Sequence, residues 1–458
     1  MASKTVLRVP PFGDVDISNF LPIVNSPEFQ RMRQSTQLAF SRYVLPGATH
    51  DRFTHSLAVM GMTTVLMKKL FEEKFFADVD RDQLRRDLEI AALVHDLGHP
   101  PKGHTTGYVF ECWPKTGFNH KDLTAELIVN KLAEQIKACG GDAERTVKYL
   151  DKKKGLPEGL IVTGDYGVDK IVYPKQDHHF ADPREVCFDL DLLGLFSHMR
   201  WRDGKLAVEE GGKRQFMAWQ EMILEMYAHV YFRKQNLALQ RLHEKALEYY
   251  MKNTGITPRE ISGMSESVLE TKLLNSEVEQ TRECYHRIMD PDNWLKTAVA
   301  IKIEGYEHSE RTVGRKITVV GTTSKTVQSF VDRYQNPLRK TDLEKKLAAA
   351  LDLKESDLVV TTPSDPPKMV PRDVPLVNAN NEPVGTIFGT SNAHYEKLRA
   401  RTEEFYTLRV MVPDSHRTRV AGEYKQIIEI IESDCSTKIK HSCSGEQRNL
   451  FENPAKPK

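Results

Sequence analysis

In Val94-His95-Asp96-Leu97-Gly98-His99 an imidazole and a carboxylate stand on adjacent residues. Both side-chain types bind divalent cations such as Zn, Fe, Mn or Ni. A lone His-Asp pair is ordinarily a helix-end hydrogen bond, and two ligands do not make a site. Two further candidates flank it: His55 upstream and Asp169 downstream, in Tyr166-Gly167-Val168-Asp169-Lys170. The order His, then His-Asp with a following Gly-His, then Asp is much more specific than any one pair. Six of the 16 histidines (His50, His55, His95, His99, His104 and His120) fall between residues 50 and 120, more than twice their proportional share. Imidazole can act as ligand, base or acid near neutral pH, so this segment is where chemistry is expected.

The six cysteines (Cys112, Cys139, Cys187, Cys284, Cys435 and Cys443) are scattered without a Cys-x-x-Cys pair. A disulfide framework or a Cys-based zinc site is therefore not expected, and a reducing compartment fits. Lys plus Arg number 65 against 64 Asp plus Glu, a net charge of +1, which argues against a protein that coats nucleic acid. No apolar run reaches the roughly 18–20 residues that span a bilayer, and MASKTVLRVPPFGDVD lacks a secretory h-region. Neither a membrane nor a secreted protein is expected. A cytoplasmic location follows, or a nuclear one in a eukaryote.

The elements that must hold these residues read as mostly helical from 26 to about 290. Ser26 caps a helix that opens at Pro27 and runs to Gln37. Phe53, Leu57, Met60, Thr64, Met67 and Phe71 predict a helix over Arg52–Phe76 with one apolar face. Another spans Gln83–Leu97 and must stop at Gly98-His99-Pro100-Pro101-Lys102-Gly103. Helices are also predicted from Asn119 or His120 to Lys137, over Gln215–Lys252 as one or a pair, and over Ser265–Met289. Beyond about 297, β-branched runs (Thr297–Ile303, Lys316–Val320, Asp357–Thr361, Leu408–Val412) alternate with helices near 342–352 and 415–432. The fold class is mainly α. A helical domain over 1–295 is followed by a smaller α+β region over 296–432 and a disordered tail over 433–458.

The ordered set and its flanks resemble the HD-domain phosphohydrolases, and more closely the deoxynucleoside triphosphate triphosphohydrolases of the SAM-and-HD-domain-containing type and their bacterial relatives. The matching segments are Phe29–Leu38, Pro46–Leu57, His95–His104, Asn119-His120, Val168–Tyr173 through Asp177-His178-His179, and Tyr231-Phe232-Arg233. Similarity is strong over about 25–125, patchy to 250 and faint to about 432, with no SAM domain expected ahead of it. The resemblance implies an HD helical core and a divalent metal (Mn, Fe, Mg, Zn, Ni or Co) on His55, His95, Asp96 and Asp169. It implies cleavage of a dNTP into deoxynucleoside and triphosphate, by metal-activated water attacking the α-phosphorus. Such a metal lowers the pKa of bound water and polarises the phosphoryl group. Arg52, three residues before His55 on the same helical face, reaches the phosphate, Lys170 supplies a point charge and Arg233 a third cation for the far phosphates. The resemblance makes His104 the general acid for the 5′-oxygen, with His99 and His120 positioning water or phosphate. It also places Gln37 and Asp177 on the ribose 3′-OH, Tyr173 against the sugar and Leu38 beneath the base.

Several positions depart from the family. Ile171-Val172 and Pro174 flank Tyr173, and a proline there removes a helical N–H. An ungapped alignment puts Leu237 and Arg241 where relatives carry a histidine and a tyrosine against the sugar's 2′ side, which weakens the exclusion of ribonucleotides. Family members form homo-oligomers with nucleotide effectors between subunits. Arg33 and Gln30 match two effector contacts, but Asn25 replaces a guanine-reading aspartate, so regulation is expected to be altered or absent. Arg448-Asn449-Leu450-Phe451 resembles a cyclin-docking motif by four residues only. Two alternatives stay open: an HD-type nucleotidase or phosphodiesterase acting on other nucleotides, and a single-stranded nucleic-acid-binding protein.

Overall fold

The computed structural model describes residues 4–72, 76, 79–114, 116–184, 190–310, 317–363 and 370–439. At its centre the Arg52–Glu72 helix packs between the helices Arg81–Val94 and Val168–Ala181. That position explains a difference from the periodicity. Phe53, Leu57, Met60 and Met67 are buried as expected, but so are Ala58, Val59, Met62, Leu66 and Leu70 on the other faces. A helix enclosed on several sides buries more than one stripe. The Arg81–Val94 helix starts where Asp80 accepts a hydrogen bond from the Gln83 N–H at 3.1 Å. It runs out one residue before His95, so the metal-type residues stand at a helix end.

Several long helices are broken. The predicted 27–37 helix is one α-turn, Pro27–Gln30, followed by a 3-10 turn, Arg31–Gln34. Ser265–Met289 divides into Glu266–Leu274 and Glu279–Ile288. Between them the Ser276 hydroxyl accepts from the Val278 N–H at 3.2 Å, a local bond that competes with helix. Gln215–Lys252 divides into Lys213–Met226, a π-turn at Tyr227–Tyr231 and Lys234–Thr254, with Arg233 in extended backbone between them. The Val168–Ala181 helix, by contrast, continues through Pro174.

The C-terminal strands form a four-stranded sheet in the order Thr318–Thr322, Lys296–Ile303, Thr407–Val412, Val359–Thr361, the first pair parallel and the others antiparallel. A second sheet pairs the hairpin Met199–Arg202/Lys205–Glu209 with Pro375–Val377 and Pro383–Thr386. Val374, Leu376, Ile387 and Phe388 thereby join the core of the helical part, so chain beyond 296 contributes to it. The last helix, Tyr424–Cys435, extends into the segment expected to be disordered. The reason is Asp434, whose carboxylate accepts from the Tyr334 hydroxyl at 2.8 Å and pairs with Lys346 at 2.5 Å. Residues 440–458, including the Arg-x-Leu-Phe segment, lie outside the described residues, as does Cys187. Among the described residues no helix is long and apolar enough to cross a membrane.

Candidate active site

Three chain segments deliver the ligand-type residues to one place. Asp51 opens the first helix by accepting from the Thr54 N–H at 2.7 Å and its hydroxyl at 2.6 Å, which sets Arg52 and His55 in the first turn. His95 and Asp96 leave the end of the second helix, and Asp169 enters the first turn of Val168–Ala181. Ligand atoms of His55, His95 and Asp96 all lie within 4.8 Å of one another. Asp169 Oδ1 joins them at 3.3 Å from His55 Nε2 and 3.8 Å from His95 Nε2.

Both imidazoles are oriented from behind. His55 Nδ1 faces Gln176 Oε1 at 3.3 Å, and Gln176 in turn donates to the Pro10 carbonyl at 3.2 Å. His95 Nδ1 meets the Ala92 carbonyl at 2.7 Å, leaving its buried Nε2 aimed at the centre with no hydrogen-bond partner. Carbonyl and amide partners of this kind fix the tautomer of a metal-binding histidine. Against burial, which would raise it, the neighbouring His95 and His99 imidazoles and the Arg52 guanidinium hold Asp96 well below the usual carboxylate range. Asp169 is held low in the same way by Lys170 and the His55 hydrogen bond. The two carboxylates raise His55 above its ordinary value despite its burial. The arrangement thus favours positive charge at its centre. Two imidazole nitrogens and two carboxylates suit a first-row divalent cation, so the donors fit the group.

A cavity of about 920 Å³ opens over this cluster. Arg52 lines it and donates to Asp96 Oδ2 at 2.5 Å, so one guanidinium both steadies an acidic residue and faces the cavity. His99 lies 3.3 Å from Asp96 Oδ1, stacks on His120 with centroids 4.4 Å apart, and meets the edge of His104 at 4.7 Å. Burial, and then the Arg52 charge, push His99 down to about 3, so it is a neutral imidazole. His120 Nδ1 lies 3.5 Å from Glu111. Two glycines make this packing fit. A Cβ at Gly98 would sit 2.1 Å from the His120 carbonyl, and one at Gly103 (φ +53°) 2.5 Å from the Arg52 guanidinium.

Lys170 pairs with Asp169 at 3.0 Å and lies over the Tyr173 ring at 5.6 Å. Asp177, read from sequence as a sugar contact, is buried with both oxygens engaged, by His50 Nε2 at 2.8 Å and the Tyr231 hydroxyl at 2.6 Å. Gln37 and Leu38 line the same wall, and Gln37 Oε1 is buried without a partner. Of the fourteen residues singled out from sequence, all line this cavity except Arg233, which stands at the break before the Lys234–Thr254 helix.

The expectation for Leu237 and Arg241 needs correction, because neither lines the cavity. Leu237 packs with Tyr227 and Phe232, and Arg241 is buried among Glu344, Glu248 and Glu244. Their helix presents Asn236 and Gln240 instead, one residue around from the ungapped register. Sequence reasoning also gave no role to His50 or Tyr231, both held to Asp177. The recurring histidines and the quoted Tyr231-Phe232-Arg233 were signals for them. Lys102, buried on the cavity wall with Glu266 at 3.0 Å and Glu270 at 2.6 Å, had no such signal, since its φ of +62° comes from the folded loop.

Residues 52–162 match the HD domain family. Over 161 residues the chain is 35% identical to the deoxynucleoside triphosphate triphosphohydrolase SAMHD1 of Gallus gallus, covering 33% of this chain and 26% of that protein. The chain is thus aligned to about a quarter of that relative's length. In fold it is similar to a hypothetical protein from Aquifex aeolicus, with a TM-score of 0.66 at 20% identity over 92% of this chain and 100% of that one. A phosphohydrolase from Bacteroides thetaiotaomicron gives 0.65 at 16% identity, over 89% of this chain and 99% of that one. The chain thus carries an HD domain, and over that region it is similar to the deoxynucleoside triphosphate triphosphohydrolases.

Proposed function

We infer that the protein is a metal-dependent phosphohydrolase that cleaves a dNTP into deoxynucleoside and inorganic triphosphate. The observation that carries this reading is the convergence of His55, His95, Asp96 and Asp169 at a cavity whose wall also holds Arg52, Lys170 and three histidines packed on one another. Those four residues would hold a divalent cation, which would supply Lewis acidity to a water and a phosphoryl oxygen. Arg52 and Lys170 counter the charge that grows on the phosphate oxygens. His99, uncharged, accepts or donates a hydrogen bond beside Asp96 without adding positive charge. His104 gives a proton to the departing 5′-oxygen, with His120 beside it. Gln37 offers its unpaired oxygen to a sugar hydroxyl. Asp177 is held in one orientation by His50 and Tyr231 and retains free lone pairs for another, and Tyr173 packs on the sugar.

Asn236 and Gln240 on the wall favour a second substrate within the same chemistry, a ribonucleoside triphosphate, because polar side chains tolerate a 2′-hydroxyl. The deciding experiment is incubation with each of four dNTPs and four NTPs plus Mn, Mg, Fe or Co, followed by chromatography of the products. Nucleoside plus intact tripolyphosphate supports the reading, whereas nucleoside monophosphate plus pyrophosphate overturns it.

A further inference from the structure

A second set of cations stands around the cavity, on a segment that plays no part in the metal-type cluster. Lys152 and Lys153 follow Asp151 in a turn that Asp151 Oδ1 shapes by accepting from the Lys153 and Lys154 N–H groups at 2.9 and 3.2 Å. Both lysines line the cavity, as does Lys121 in the first turn of the His120–Lys131 helix. Lys170 lines it too but is already committed to Asp169 at 3.0 Å. Arg233, the cation assigned from sequence to the far phosphates, is not on the wall. Burial first, and repulsion from Lys170 next, pull the Lys152 ammonium down to about 8, although the residue as a whole is exposed at the rim; Lys121 adds to the repulsion. Asp165 and Asp169 offset only part of it. Lys152, Lys170 and Lys121 thus repel one another across the cavity wall that Lys153 also lines, where a multiply charged anion lowers that repulsion. Each offers three donors on a flexible stem, which suits phosphate oxygens of variable position.

We propose that Lys152 and Lys153, with Lys121, form the subsite for the distal phosphates of the substrate, the role that sequence resemblance gave to Arg233. This rests on the polyphosphate reading above. The test is isothermal titration of the purified protein, without added metal, with inorganic tripolyphosphate and with orthophosphate. The double variant Lys152→Gln/Lys153→Gln is expected to bind tripolyphosphate at least tenfold more weakly, with orthophosphate affinity within twofold of the original chain. Lys152→Arg/Lys153→Arg is expected to restore most of the difference. Equal losses for both anions, no loss for either, or no binding of tripolyphosphate by the unaltered protein would each overturn the subsite. The reaction itself is judged separately by the products released from dNTPs, so a lysine subsite that fails leaves that result standing, and the converse holds.

Discussion

Asp96 lies at the crossing of every local interaction in the site. One oxygen accepts from Arg52 at 2.5 Å, and the other lies 3.4 Å from His95 Nε2 and 3.3 Å from His99 Nε2. Removing its charge, or that of Asp169, leaves two imidazoles and a single carboxylate, which hold a divalent cation more weakly. Asp96→Asn and Asp169→Asn are therefore expected to lower bound metal, measured by elemental analysis, at least tenfold while far-UV circular dichroism stays unchanged. Full metal content in both variants would show that the cation sits elsewhere. His104 offers a complementary test, because it meets His99 edge-on and stacks on Tyr108 but does not stand among the ligand-type atoms. His104→Gln is expected to keep its metal and lose about 10²- to 10⁴-fold in kcat, the usual contribution of a general acid. A loss confined to KM would assign His104 to binding instead. The acid–imidazole set was legible because its members are rare residue types in a fixed order. The supports were not: Gln176 behind His55, and His50 and Tyr231 on Asp177, are defined by contacts across 121, 127 and 54 residues of chain.

At the level of elements, the sequence signalled where helices pause better than how the pauses are shaped. Gly98 and Gly103 bound a run read as unable to continue a helix, and the chain leaves helix after Val94 and re-enters it at His104. The structure adds that Gly98 admits the His120–Lys131 helix against the His-Asp turn and Gly103 admits the Arg52 guanidinium. The break at Arg233 had no such marker, since neither glycine nor proline stands there, and a shift of one residue in the next helix moved Arg241 off the cavity. The hairpin at 199–209 was overlooked although its turn, Asp203-Gly204 with φ of +50° and +71°, is a familiar two-residue signal. Gly103→Ala tests the fit of the loop directly. A Cβ there clashes with the Arg52 guanidinium, and alanine resists φ +53°, so a loss of about 1–3 kcal/mol is expected. Urea unfolding measures that loss. Hydrolysis should fall by more than the lost folded fraction accounts for, because Arg52 must move, and unchanged turnover per folded molecule would mean that Arg52 does not act on the phosphate.

Across the whole molecule, the Lys234–Thr254 helix links the cavity to the C-terminal sheet. Asn236 and Gln240 face the cavity, while Arg241 and Lys245 on the same helix reach Glu344 of Pro337–Ala350 at 2.9 and 3.1 Å. Glu344 also accepts from the Val360 N–H at 2.7 Å, within the Val359–Thr361 strand of that sheet. Glu248 completes the buried group, taking one Arg241 bond at 3.1 Å and another from the Thr341 hydroxyl. Burial outweighs the Arg241 attraction there and raises Glu248 to about 7, against 4.5 for an ordinary glutamate. Below about pH 4.5 the carboxyl is protonated in both folded and unfolded chains and makes no difference between them. Between there and about 7 the unfolded chain releases its proton while the folded chain keeps it, so stability falls as pH rises. The loss is complete above about pH 7 and amounts to roughly 2–4 kcal/mol at one pKa unit per 1.36 kcal/mol. Glu248→Gln carries a neutral group of the same shape at every pH. Its urea midpoint is therefore expected to gain on that of the original chain between pH 5 and pH 8. Parallel curves for the two proteins over that range would show that Glu248 ionises as an ordinary surface carboxylate, and would remove it from the junction between cavity helix and sheet.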